Sequence, residues 1–440
     1  MNLFYTHALI SLMLLFFEGT TPPRQAAQPA KSDRSERLAP TKEDDKSFIS
    51  PIISATKTDA LITDMGVVGP SPGDMIEYTV SIFNAGDMEA TGIVFNDNLD
   101  AYTTLVPGSL ICSPVAYPDA YDVLGNVKIS VPAASGMLAN DQNPCSTGGP
   151  LTVTSVNTSG TQGDVTFDPD GSFTFNPAPG FTGTTLFQYI VSNGVLANQG
   201  TVVLNVSRRI WFIDNGQPNG DGRLGSPFSS IDNFNNGASG GSIGDVIFLY
   251  RQTAMDYSGA GLTLKTYQAV IGQGATSSIV ALTGLPIPPY SEPLPATGGI
   301  NPVIAHDDTA IALANKNQLH GFDISNSGGT GISGSSLDSL IIRDLSVANT
   351  AGPALSLANG YLDVIIKKLD ASNAATGFLI DNTTGSFTVE GSGVTAGSGG
   401  TVQDITGRGA DIQSATNITL KNMNFSDANT LDPGAALFLS

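Results

Sequence analysis

The chain has 440 residues, 50 of them glycine and 26 proline, with only 13% charged side chains. That length suits roughly three domains at about 150 residues each. The 39 acids against 19 bases give a formal charge of -20, which disfavours nucleic-acid binding, and two cysteines exclude both a Cys-rich zinc site and a multi-disulfide framework. An excess of Ser, Thr, Asn, Gly and Asp without any A/E/K/L/R bias predicts an all-β chain of short strands and frequent turns.

Residues 1–19 contain the apolar run Ala8–Phe17 (ALISLMLLFF), which has the length of a secretory hydrophobic region and is too short to span a bilayer. It lacks a preceding Lys or Arg. Residues 20–50 mix Pro with charges of both signs and few apolar groups, as expected of a disordered linker. Six of the 19 bases lie between Arg24 and Lys46, so the remainder is strongly acidic. No later segment is apolar enough to span a membrane as a helix, so the mature chain is expected to carry no transmembrane span.

Over 51–115, Ile76, Tyr78, Val80 and Ile82 alternate with less apolar neighbours, the period of a half-buried strand. Turns at Pro72-Gly73-Asp74, Asn84–Asp87 and Asn96-Asp97-Asn98 bracket further strands, which predicts a first sandwich. The segment PGDMIEYTVSIFNAGDMEATGIVFNDNLD, followed by TTLVPGSL, resembles the Ig-like repeat known as domain of unknown function eleven, found in bacterial surface proteins. That resemblance implies a surface spacer. Lys57, Glu77 and Asn98 have the residue types of an isopeptide cross-link, or are ordinary surface groups.

Over 116–207, Phe173/Phe175, Phe187/Tyr189/Val191 and Val202/Leu204/Val206 alternate between turn signals, predicting a second β-sandwich. Leu138–Asp141 (LAND), Asp168–Phe173 (DPDGSF) and Gly180–Gly183 resemble the cadherin-like tandem repeats of large bacterial adhesins. Such repeats imply calcium held by carboxylates, for which Asp141, Asp168 and Asp170 are the candidates; the usual acidic run after Asn140-Asp141 is replaced here by QNPCSTGG. A hairpin turn is the simpler reading of Asp168–Gly171. Cys112 and Cys145 either form one disulfide, closing a loop of about 33 residues, or are two buried thiols.

The region 208–440 carries a period. Leu319–Asn326, Ile342–Asn349, Ile366–Asn373 and Leu420–Asp427 align with steps of 23, 24 and 54, the last containing a skipped rung over Val389–Ala396. Ile332, Leu355, Leu379 and Ile412 recur downstream in each unit. This spacing, without a leucine-rich lattice, predicts a right-handed parallel β-helix with Asn326, Asn349 and Asn373 stacked in line and Trp211 closing its N-terminal mouth. The opening IWFIDNGQPNGDGRLGSPFSSIDNF resembles the start of β-helix passengers of autotransporter-like bacterial adhesins. In its NGQPNGDG turn, Asn215, Asn219 and Asp221 are weak calcium candidates. Calcium is thus the one cofactor entertained.

β-Helices also carry polysaccharide lyases and glycosidases. His306-Asp307-Asp308 is the nearest approach to a hydrolytic pair, since inverting glycosidases need two carboxylates about 6.5–9.5 Å apart. The polygalacturonase family adds N-T-D, G-H-G and R-I-K segments; here only His320-Gly321 remains. For a lyase, Arg343 beside Asp344 is the closest match. No G-x-S-x-G elbow or P-loop occurs. The expectation is a non-catalytic adhesin-like protein, extracellular or on the bacterial outer envelope, contacting a host or neighbouring cell surface or its glycans. A carbohydrate-active enzyme is the alternative. Because Ala435–Ser440 ends without a polar cap, the polypeptide is expected to continue.

Overall fold

The computed structural model describes residues 52–64, 74–84, 98, 103–145, 148–251, 256–349, 351–428 and 435–440. The apolar run at 8–17, the 20–50 stretch and the turn at Asn96-Asp97 lie outside them. The fold is nearly all β.

Strands β1 (Ile53–Thr63) and β2 (Met75–Asn84) pair antiparallel from Ile53↔Asn84 to Leu61↔Ile76. Among the described residues they pair only with each other, and β1 is exposed along its length. Lys57 stands opposite Val80, with its ammonium 4.3 Å from the Tyr78 ring centroid. Since strand side chains alternate, Glu77 faces the opposite side of the hairpin from Lys57. An acid there cannot serve an isopeptide bond from that lysine, and Asn98 is exposed.

Next come β3 (Asp119–Gly125), β4 (Ile129–Val131), β5 (Thr152–Asn157), β6 (Gly163–Phe167), β7 (Phe173–Pro177), β8 (Gly183–Ser192) and β9 (Ala197–Ile213). They form two sheets, β5-β8-β9-β3 and β4-β7-β6, with β3 parallel to β9. The alternation along β7 and β8 puts Phe173, Phe175, Phe187, Tyr189 and Val191 between the sheets. Each large side chain so buried stabilises the fold by roughly 1.5–3 kcal/mol. Tyr121, Phe173 and Phe187 meet edge to face, and a disulfide joins Cys112 to Cys145 with Cα atoms 5.6 Å apart.

Strand β9 does not stop at the sandwich. Its last four residues begin a parallel ladder with β10 (Val246–Leu249) and then β12 (Ala269–Gly272); β11 (Leu262–Thr263) lies between these two in sequence and pairs elsewhere. Trp211, Ile247, Val270, Leu319, Ile342, Val364, Phe387 and Ile418 are successive partners in this ladder. A second ladder stacks Leu262, Ile311, Ile332, Leu355, Phe378, Ala410 and Leu437, and a third runs through Ile304, Ile324, Val347 and Leu369. Nearly all of these side chains meet in one elongated core.

Two registers differ from the sequence alignment. Ile342 pairs with Val364, not Ile366, because the ladder is irregular around Arg343-Asp344, where Asp344 takes a left-handed φ of 56°. Leu355 pairs with Phe378 rather than Leu379, whose partner is Asp411. Consequently Asn349 pairs with Ala371, and Asn326, Asn349 and Asn373 do not form one column. Asn349 instead donates to the carbonyls of Gly329 and Pro353. The stacked amides are Asn359 and Asn382, at φ 55° and 47°, where Asn382 Nδ2 donates to Asn359 Oδ1 at 2.8 Å. Asn suits such corners because its short polar side chain tolerates the left-handed region.

Because β9 alternates, Trp211 and Ile213 enter the elongated core while Ile210 and Phe212 face outward. There they pack with Phe248, Ile271, the sandwich residues Leu124 and Val127, and Ile279 and Leu285 in and just after the short helix Ile279–Thr283. The segment after this helix returns to the sandwich: Tyr290 and Lys128 carbonyls accept from Ser130 and Glu292 amides, and Lys128 pairs with Glu292 at 2.7 Å.

Candidate functional site

The sequence-selected residues do not converge. Asp307 and Asp308 are exposed on the turn after Val303–Ile304, and His306 Nδ1 accepts from the Asp308 amide at 2.9 Å. His320 is elsewhere and buried; its Nδ1 has no partner, and burial, then the nearby Arg343 charge, pushes its pKa down to about 4. Arg343 pairs with Asp363 on the strand paired in parallel with its own, whereas Asp344 Oδ2 accepts from the amide and hydroxyl of Thr276 at 2.9 and 2.7 Å. Neither residue is left as a base beside gathered acids.

The calcium candidates are likewise dispersed. Asp170 Oδ1 accepts from the Ser172 amide and hydroxyl at 2.9 and 2.6 Å, and those bonds hold its pKa below the usual carboxylate range. With Gly171 at φ 87°, residues 168–172 are a hairpin turn. Asp141 instead accepts from the Tyr117 amide at 2.8 Å and the Tyr189 hydroxyl at 2.9 Å. Its neighbour Asp119 is buried with Oδ2 unpaired; burial and then Asp141 push the Asp119 pKa up to about 7, while burial brings Asp141 to about 6. Asn219 accepts from the Ser229 amide, and Asp221 is clasped by Arg223 at 2.7 Å. Among the described residues no three His, Cys, Asp or Glu side chains gather as metal ligands would.

A site that sequence reasoning missed lies where β9 leaves the sandwich. A cleft of about 620 Å³ is lined by Thr182 and Arg208 together with Ser242, Tyr267 and Gln318. Its floor is a buried ion pair. Asp245 Oδ2 accepts from Arg209 Nε at 3.0 Å, Arg209 Nη2 at 2.9 Å, Trp211 Nε1 at 2.8 Å and the Ser242 amide at 2.7 Å. Arg209 Nη1 also donates to the Gly180 carbonyl, tying β9 to the turn before β8.

Arg208 is positioned differently. The β3–β9 register slips between Leu124 and Gly125, and at this bulge Arg208 takes φ 55°, unusual for a long side chain. A Cβ at Gly125 would meet the Arg208 carbonyl at 2.7 Å, so glycine permits the bulge. The Arg208 side chain is exposed and has no hydrogen bond or ion pair among the described residues. Tyr267, also in the lining, is 54% exposed at φ 64°; its hydroxyl accepts from Lys316 Nζ at 2.9 Å, and that ammonium lies 5.0 Å from the ring centroid. The only sequence trace of this arrangement is an Arg-Arg doublet two residues before the single tryptophan.

Comparison with known proteins identifies a bacterial cadherin-like domain at residues 112–208. No curated protein matches the chain. Similar solved structures include the endo-fucoidan hydrolase MfFcnA4 from glycoside hydrolase family 107, with 11% identity, a TM-score of 0.17 and coverage of 36% of this chain and 27% of that one. The family 107 endo-fucoidan hydrolase MfFcnA9 gives 11% identity, a TM-score of 0.15 and coverage of 36% and 31%. The chain therefore spans about a third or less of those structures, and likeness at this level bears on neither fold nor chemistry.

Proposed function

We propose that this chain is a non-catalytic, extracellular or surface-displayed recognition protein. In this reading residues 51–115 are an Ig-like spacer, the cadherin-like sandwich is a mount, and residues 208–440 wind as a right-handed parallel β-helix that contacts a cell surface or its glycans. Three parallel ladders with recurring apolar partners support the coil. The cadherin-like match at 112–208 supports a surface or carbohydrate-binding setting.

The observation that carries the non-catalytic reading is the state of the cleft's carboxylate. Asp245 is the one acid in the lining, and its Oδ2 is occupied by Arg209, Trp211 and Ser242. Glycoside hydrolysis needs two carboxylates flanking the scissile bond. The exposed Asp307-Asp308 turn supplies neither enclosure nor a second wall. Beads coated with the full chain should adhere to cells or immobilised glycans, while soluble polysaccharides incubated with it release no new reducing ends. Release of reducing ends that is lost on Asp307→Asn would refute this and establish the carbohydrate-active alternative.

A further inference from the structure

The junction cleft differs in charge from the rest of the molecule. The chain carries -20 overall, yet the lining's only carboxylate is neutralised by Arg209, leaving the unpaired Arg208 guanidinium to set the sign. A guanidinium presents a planar fork of donors that matches a carboxylate or sulfate. Arg208 lines the cleft at a backbone bulge, where it takes φ 55°. The lining also holds Tyr267, 54% exposed, whose ring carries the Lys316 ammonium 5.0 Å from its centroid on one face and leaves the other as a flat amphipathic surface of the type that stacks on sugar rings. Ser242, Thr182 and the Gln318 amide add hydroxyl and amide groups to the lining. The volume, about 620 Å³, lies within the range of small-ligand sites, about 300–1,000 Å³.

We propose that this cleft binds an acidic saccharide, with a uronate or sulfate group on Arg208 and a sugar ring against Tyr267. The assignment rests on the glycan-recognition reading above and narrows it to one ligand class and one place. An aromatic ring with amide and hydroxyl partners alone would suit a neutral sugar; the bare cation sets the requirement for an anion. Carboxylate and sulfate share this chemistry, so the test carries both.

The full chain is titrated calorimetrically with oligogalacturonate, a sulfated dextran oligomer and neutral dextran. Binding of at least one acidic probe is expected, absent for neutral dextran and weakened by salt. Arg208→Gln should reduce affinity about tenfold or more with an unchanged unfolding midpoint. Tyr267→Ala should also weaken binding, whereas Lys421→Gln, an equal charge loss at an exposed distant position, should not. Acidic binding unaltered by Arg208→Gln, or equal binding of neutral dextran, overturns the cleft assignment while leaving glycan recognition standing. No binding of any saccharide overturns the cleft assignment; adhesion of coated beads then decides separately whether the broader reading survives.

Discussion

Changing Asp245 to Asn tests whether the buried ion pair holds the sandwich to the parallel ladders that follow it. The replacement conserves shape, so no cavity forms, but it leaves the Arg209 guanidinium buried without its counterion; the Arg209 and Asp245 side chains are only 10% and 6% exposed. Breaking one side of a buried pair costs about 3–5 kcal/mol, and only one orientation of the Asn amide keeps its nitrogen from facing the donors of Arg209, Trp211 and Ser242. Trp211 is the chain's single tryptophan, so its fluorescence reports this junction alone. With a urea slope of roughly 2–3 kcal/mol per M, the Trp211 midpoint should fall by about 1–2 M. Replacing both members, Arg209→Met with Asp245→Leu, should recover most of the loss, because desolvating two charges offsets much of their attraction. A midpoint shift under about 0.3 M for Asp245→Asn would refute the assignment of Asp245 as the keystone of the junction.

The Asp119–Asp141 pair gives a pH dependence of known sign. Both folded pKa values lie above the unfolded value, so the folded sandwich retains protons that the unfolded chain releases, and stability should decline from about pH 4 to about pH 7. Asp119→Asn should flatten this decline and raise stability at pH 8 by roughly 2–4 kcal/mol, measured by calorimetry across that range. Removing the disulfide by Cys112→Ser with Cys145→Ser should cost about 4 kcal/mol on the chain-entropy account for a separation of 33 residues, and reductant should shift the native chain's midpoint equally. Gly385→Ala should destabilise by about 2–3 kcal/mol in urea unfolding. Its φ is 87°, and a new Cβ would lie 2.1 Å from the Leu362 carbonyl of the preceding rung.

Periodicity was readable where the turns were regular. Leu319 and Ile342 are paired as their 23-residue spacing implied, and Ile366, Val389 and Leu420 follow one another through the rung that the alignment skipped. The register was misread beside Arg343-Asp344 because a backbone irregularity changes the residue count per turn without altering the apolar pattern. The choice of Leu379 over Phe378 has a similar origin: adjacent apolar residues satisfy the same pattern, and only strand pairing decides which one points inward. The sandwich was legible from alternation in Phe173/Phe175 and Phe187/Tyr189/Val191, all of them buried. The cleft was not, because Thr182, Arg208, Tyr267 and Gln318 are brought together from four separate elements. Acidic residues drew notice as ligands, yet Asp170 and Asp221 are engaged by Ser172 and Arg223 close by in sequence.

Strand β9 belongs to two cores at once, with no intervening linker between its sandwich residues and those that pair with β10. A hinge needs a few residues free to change dihedral angles, and here those residues are hydrogen-bonded to β3 or β8 on one side and β10 on the other. Tension applied along the polypeptide would therefore load the β3–β9 pairing in shear, many bonds at a time, instead of peeling it open singly. The two bodies would swing as one lever, transmitting torque rather than absorbing it.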